Sequence, residues 1–128
     1  MSRDFFLRRA EIPIDVAEVR LFQYNAEIKE AVKKWSDPAT REATLARCGH
    51  ISDWNMAEVS DCNELFKDQA KFNDNISRWN MSNVKTMDFV FESAESFNRP
   101  ISAWDVSKVE SMHCMFSVAT SFDQPIGN

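Results

Sequence analysis

The sequence predicts an α/β fold: a short, curved solenoid of strand–helix repeats behind an α-helical N-terminal cap. Three observations predict it. A 25-residue pattern runs three times without insertion, over 51–75, 76–100 and 101–125, and Ile126-Gly127-Asn128 opens a fourth copy. Within each copy the apolar spacing changes from two residues to three or four. Residues 1–50 do not share the pattern and carry amphipathic stretches of their own.

The repeat is defined by its large apolar columns. Ile51, Ile76, Ile101 and Ile126 share a position, as do Trp54/Trp79/Trp104, Val59/Val84/Val109, Phe66/Phe91/Phe116 and Phe72/Phe97/Phe122. Met56/Met81/Val106 and Cys62/Met87/Met112 keep apolar character. One such unit cannot bury its apolar face alone, but stacked copies can, each column packing on itself in the next repeat. Trp79 has a tryptophan on both sides and is expected to be the most buried of the four.

Trp79-Asn80-Met81 places apolar residues two apart, which reads as a strand. Val84, Met87, Phe91 and Ala94 follow at i, i+3, i+7 and i+10. At 100° per residue they fall on a stripe roughly 80° wide, which reads as one helix face. Ser82 and Ser107 stand where an N-cap belongs, and Ser107 with Glu110 makes a capping box. Ala57 holds that place in the first repeat, weakening its helix entry by roughly 1 kcal/mol. Paired strands lie about 4.8 Å apart and packed helices about 8–10 Å, so the array should curve with strands inside. The inner surface would then present Asp53, Arg78 and Ala103, and beside them Asn55, Asn80 and Asp105.

Ahead of the repeats, Asn25 is expected to cap a helix running through Trp35, with Ile28, Val32 and Trp35 at i, i+4 and i+7. Asp37-Pro38 starts a second helix over 39–47, and Gly49 breaks it. The organisation expected is a helical cap over 1–50 and a repeat solenoid over 51–128. Ile12, Ile14 and Val16 alternate and would add a strand.

Composition removes several functions. The net charge is −5, and the middle repeat balances three Lys/Arg against three Asp/Glu, so no basic stripe exists for nucleic acid. No run approaches the ~20 apolar residues that span a membrane, so membrane insertion is not expected. Arg8 and Arg9 end the Phe5-Phe6-Leu7 run too early for a secretory signal. With Met1 as the natural start the protein would stay inside a cell, and a cell or particle surface is the alternative. Cys48, Cys62 and Cys114 show no CxxC spacing and read as reduced, small apolar residues.

The repeat Ile-Ser-x-Trp-Asn/Asp-Met/Val-Ser-x-Val-x-x-Met-x-x-x-Phe-x-x-Ala-x-x-Phe-Asn/Asp-x-Pro resembles the BspA-like leucine-rich repeat surface protein family. That repeat also occurs in mycoplasma lipoproteins and in algal, protist and giant-virus proteins. Trp79 to Val84 and Ser96 to Pro100 carry the resemblance most closely, and it covers residues 51–128. It implies a leucine-rich-repeat-like solenoid and, for bacterial members, adhesion to host proteins or cell surfaces. It implies no catalytic residues. Cys62, Gln69 and Asn75 depart from it where the family pattern has Met, Ala and Pro.

Three places in the sequence offer sharper chemistry. A tryptophan column could stack a ligand, but its spacing from Met56, Met81 and Val106 reads as core. The Asn55/Asn80/Asp105 column offers too few oxygens for calcium. His113 and Cys114 are adjacent on the expected helix and point about 100° apart, which does not make a nucleophile–base pair. The expected function is therefore a non-catalytic protein-binding repeat module with no metal and no cofactor. Its partner would dock on Asp53, Asn55, Arg78, Asn80 and Asp105, or on a repeat edge. The alternative is a structural subunit packed in a larger assembly, or self-associated, through its uncapped C-terminal end.

Overall fold

The computed structural model describes residues 25–126, so the strand expected at Ile12, Ile14 and Val16 lies outside the described residues. Helix α1 (Asn25–Ser36) has Glu27 in its first turn and Lys33 and Lys34 in its last, which complements the helix dipole. It buries Ile28, Ala31, Val32 and Trp35 along one face. Asn25 does not cap its own helix in the expected way. Its Oδ1 accepts the backbone N–H groups of Ser60 and Asp61 at 3.0 and 3.2 Å, tying α1 to the first repeat.

Helix α2 (Arg41–Cys48) starts later than the Asp37-Pro38 signal suggested. The Asp37 carbonyl accepts N–H from Thr40 and Arg41 at 3.0 and 2.9 Å. Its side chain accepts from Ala39 at 2.9 Å. Asp37 thus bonds as a cap does, and Thr40, at φ −116°, separates this turn from the regular helix. Gly49, at φ 77°, closes α2, its N–H donating to the Leu45 carbonyl. A one-turn 3-10 helix, Ile51–Asp53, follows.

The strand–helix solenoid expected from the sequence does not form. Among the described residues no helix follows Asp53 and no strand forms, and the bridges that join one described residue to another are isolated parallel ones, Asp61 with Thr86 and Thr86 with Ser111. The α/β assignment, the inner strands and the outer helices all fall with it. Where helices were expected, the chain runs as overlapping turns. Leu65 donates to the Cys62 carbonyl, Lys67 to Glu64 and Gln69 to Phe66, at 3.1, 3.2 and 3.1 Å. An α-helix holds every residue near φ −63°, whereas Glu64, Asp68, Phe89, Ser93, Cys114 and Val118 all have φ between 51° and 63°. These left-handed residues recur every fourth position in each repeat. They turn alternate N–H groups out of the chain and toward the neighbouring repeat.

The expected strand is a turn as well. Asn80 Oδ1 accepts the Ser82 N–H at 3.0 Å, and Asn55 and Asp105 do the same for Ala57 and Ser107. Ser82 and Ser107 therefore belong to side-chain-closed turns, not to helix N-caps.

Equivalent side chains nevertheless lie against each other across repeats. Phe66, Phe91 and Phe116 form one column with ring centroids 5.6 Å apart at each step. Phe72, Phe97 and Phe122 form a second, at 5.8 and 5.9 Å. The two columns also meet within each repeat, at 4.1 Å for Phe66–Phe72 and 4.2 Å for Phe91–Phe97. The indole N–H of Trp79 donates to the Ile51 carbonyl and that of Trp104 to the Ile76 carbonyl. The tryptophan column is thus core, with its one polar atom satisfied. The most buried tryptophan is Trp35, at 1% exposure against 3% for Trp79. It projects from α1 and packs edge-on to Trp54 of the first repeat and to His50.

Candidate functional site

The five expected partner-binding residues take two kinds of place. Asp53 and Arg78 are exposed and meet across the repeat boundary, the Arg78 guanidinium donating to Asp53 Oδ1 at 2.6 Å. Asn55, Asn80 and Asp105 each close a turn with the N–H two residues on, so one lone pair of each carries a local backbone bond. The Ser107 side chain and N–H bonded to Asp105 also hold its carboxyl below the usual range. Asn80 and Asp105 are exposed and Asn55 is half-buried.

A second polar column stands beside the turns. The Asp88 N–H donates to Asn63 Oδ1 at 2.8 Å, and Asp88 Oδ1 accepts from Ser111 Oγ at 2.5 Å and from the His113 N–H at 2.8 Å. Those donors, Ser111 first, draw the Asp88 carboxyl below its ordinary value. A cleft of about 630 Å³ lies between Trp35, Arg41, Asp74 and Arg99. Its two arginines are engaged: Arg41 stacks on the Trp35 ring at 4.1 Å and pairs with Asp74, while Arg99 Nε donates to the Asn73 carbonyl. His113 and Cys114 are both exposed, on turns rather than on the helix expected there. Among the described residues no cluster of His, Cys, Asp and Glu could hold a metal ion, and no helix is long and apolar enough to cross a membrane.

The feature with the clearest capacity to recognise something is the outer face of the third repeat. In the first repeat, the N–H groups of Cys62, Glu64, Phe66 and Asp68 donate to the carbonyls of Thr86, Asp88, Val90 and Glu92 at 2.8–3.0 Å. In the second, Met87, Phe89, Phe91 and Ser93 donate to Ser111, His113, Met115 and Ser117 at 2.8–2.9 Å. The matching donors of the third repeat are Met112, Cys114, Phe116 and Val118. Their N–H groups meet no backbone acceptor among the described residues.

Apolar exposure follows the same boundary. Met56 and Met81 are buried while Val106, in their column, is 38% exposed. Met87 is buried while Met112 is 44% exposed. Val118 and Ile126 are more exposed still, and Phe116 and Phe122 are only partly covered. A row of four donors beside an apolar strip can receive a polypeptide backbone. The repeat period and Ile126 pointed to this end of the stack. No side-chain pattern could have located the four donors, because they belong to the backbone.

Among known families, the one described as "Mycoplasma protein of unknown function, DUF285" matches residues 37–128. No curated protein and no solved structure matches the chain.

Proposed function

We propose, from the premise that this chain belongs to the DUF285 family, that it is a non-catalytic module that binds another polypeptide through the edge of its third repeat. The observation that carries this reading is the row of four backbone donors at Met112, Cys114, Phe116 and Val118 beside exposed Val106, Met112 and Val118. A buried, unpaired N–H costs about 1–3 kcal/mol, so an occupant that covers this strip must supply carbonyls. Polypeptide does that best. The resemblance of the 25-residue repeat to BspA-like surface proteins supports recognition of protein rather than of a small molecule, and adhesion is the role it suggests. Asp105 is the one of the five expected partner-binding residues that lies in the third repeat, and it is exposed there.

The test is whether the edge is open to apolar contact. The parent chain should enhance anilinonaphthalene sulfonate fluorescence, and a Met112→Lys/Val118→Lys double variant should lose most of that signal with an unchanged circular dichroism spectrum. A parent chain that leaves the dye dark, or a double variant that binds it equally, overturns the assignment.

A further inference from the structure

The edge reading leaves the partner's conformation open, and the geometry of the stack narrows it. We infer that the third-repeat edge receives a turn-built segment of the same 25-residue class, and not an extended β-strand. This rests on the edge reading above and names the partner that it requires.

The spacing of the donors excludes an extended strand. The four donors alternate along a chain that turns repeatedly: Ser117 donates to the Cys114 carbonyl and Ala119 to the Phe116 carbonyl, at 3.3 and 3.0 Å. Cys114 and Val118 stand at φ 51° and 57°. An i to i+3 turn holds its end Cα atoms within about 7 Å. An extended strand rises about 3.3 Å per residue, so the same three steps cover about 10 Å. Carbonyls on a strand would run out of register with Met112 and Phe116 after the first bond. A second turn ladder keeps step over all four.

The third-repeat edge continues interfaces already formed in this chain. Both internal boundaries join repeats by the same two elements: four N–H···O bonds at two-residue spacing, and stacked phenylalanines 5.6–5.9 Å apart. The third repeat offers the donor half of this pair, with Phe116 and Phe122 in place to continue both columns. After Ile126 the sequence given holds only Gly127 and Asn128, too few residues to supply four carbonyls. Residues 1–50 do not carry the 25-residue pattern either, so the repeat-class occupant is a segment other than those of this sequence.

A second copy of the chain does not fit. Its matching acceptor row would be the carbonyls of Asp61, Asn63, Leu65 and Lys67, on the side covered by α1. There Asn25 holds the Ser60 and Asp61 N–H groups, Lys29 pairs with Asp61 at 3.4 Å, and Ser36 hydrogen-bonds Gln69. The partner carries the repeat without such a helix over its acceptor side.

The test adds an end-blocked peptide with the sequence of residues 76–100 to the full-length chain and follows backbone amide exchange by NMR. A shuffled peptide of the same composition is the control. Saturating native-order peptide should slow exchange at Met112, Cys114, Phe116 and Val118 at least tenfold, and the shuffled peptide should not. Unchanged exchange at those amides overturns the inference, as does equal protection by the shuffled peptide. So does protection that grows with protein concentration alone, since that identifies a second copy. A chain that binds dye at Met112 and Val118 yet ignores the repeat peptide keeps the edge and loses this partner class, so the two failures are distinct.

Discussion

The indole N–H of Trp79 donates to the carbonyl of Ile51 at 2.7 Å, 28 residues back and across a repeat boundary. Trp104 repeats the bond to Ile76 at 3.0 Å. One side chain thus fills the core of its own repeat and satisfies a backbone acceptor of the one before. Trp79→Ala should cost about 3–5 kcal/mol, a large part of the roughly 5–15 kcal/mol that holds a small domain together. Trp79→Phe keeps most of the ring but strands the Ile51 carbonyl, and should cost about 1–3 kcal/mol. Urea denaturation ranks the three proteins. An alanine variant as stable as the parent would show that the tryptophan column is not core.

Val118 sits in the left-handed region at φ 57°, where a β-branched residue is a conformational outlier. The left-handed conformation costs an L-residue roughly 1–2 kcal/mol, and asparagine tolerates it better. Val118 is 57% exposed, so little packing is lost on replacement. Val118→Asn should raise the melting temperature by a few degrees, consistent with about 0.5–1 kcal/mol for a domain of this size. A lower melting temperature would place Val118 in a contact that outweighs the strain.

The three cysteines are free and unlike one another. Cys48 and Cys62 are buried and Cys114 is exposed. Burial, with Asp61 adding to it, pushes the Cys62 thiol up to about 12, and the thiolate is the reactive form. Brief treatment of the folded chain with a maleimide at pH 7.5 should therefore label Cys114, and Cys114→Ser should abolish the fast reaction. Rapid labelling of Cys62 in the folded state would contradict its burial.

Asp88 and Asp105 each have a carboxyl held below the ordinary 3.8 by hydrogen bonds, from Ser111 and His113 in one case and Ser107 in the other. A carboxyl whose folded value is depressed contributes stability above its unfolded value and loses it as pH falls through the folded value. The contribution is thus complete above about pH 4 and fades below it. Asp88→Asn/Asp105→Asn should show a shallower fall in urea midpoint between pH 5 and pH 2.5 than the parent. Equal acid slopes would mean that neither carboxylate holds its turn in the folded state.

Arg78→Glu sets two carboxylates against each other at the Asp53 position. The pair is solvent-exposed, and exposed ion pairs contribute about 0–1 kcal/mol. The variant should therefore lose no more than that, measured by thermal denaturation. A loss of several kcal/mol would show that the pair organises the boundary between the first two repeats.

The sequence by itself determined the period, the columns and the face of α1. Isoleucine, tryptophan and phenylalanine at a fixed 25-residue interval leave no other way to bury so much apolar surface than copy against copy. Ile28, Val32 and Trp35 at i, i+4 and i+7 make a helix face in any context. What lies between the columns was decided by the tertiary structure. Val84, Met87, Phe91 and Ala94 satisfy helical spacing, but a ladder of turns places residues three and four apart on one side equally well. Glycine at Phe89 and Ser93 would have exposed the turns in the sequence. Those residues instead adopt left-handed backbone because each neighbouring repeat accepts the N–H groups that this conformation directs outward. The turn ladder gains bonds to residues 24 positions away, and a helix would bond only to itself. Asn25 makes the same point, since its side chain serves Ser60 and Asp61 rather than its own helix. Local pattern reports which atoms must be buried together, and only the packed neighbour determines where the backbone hydrogen bonds go.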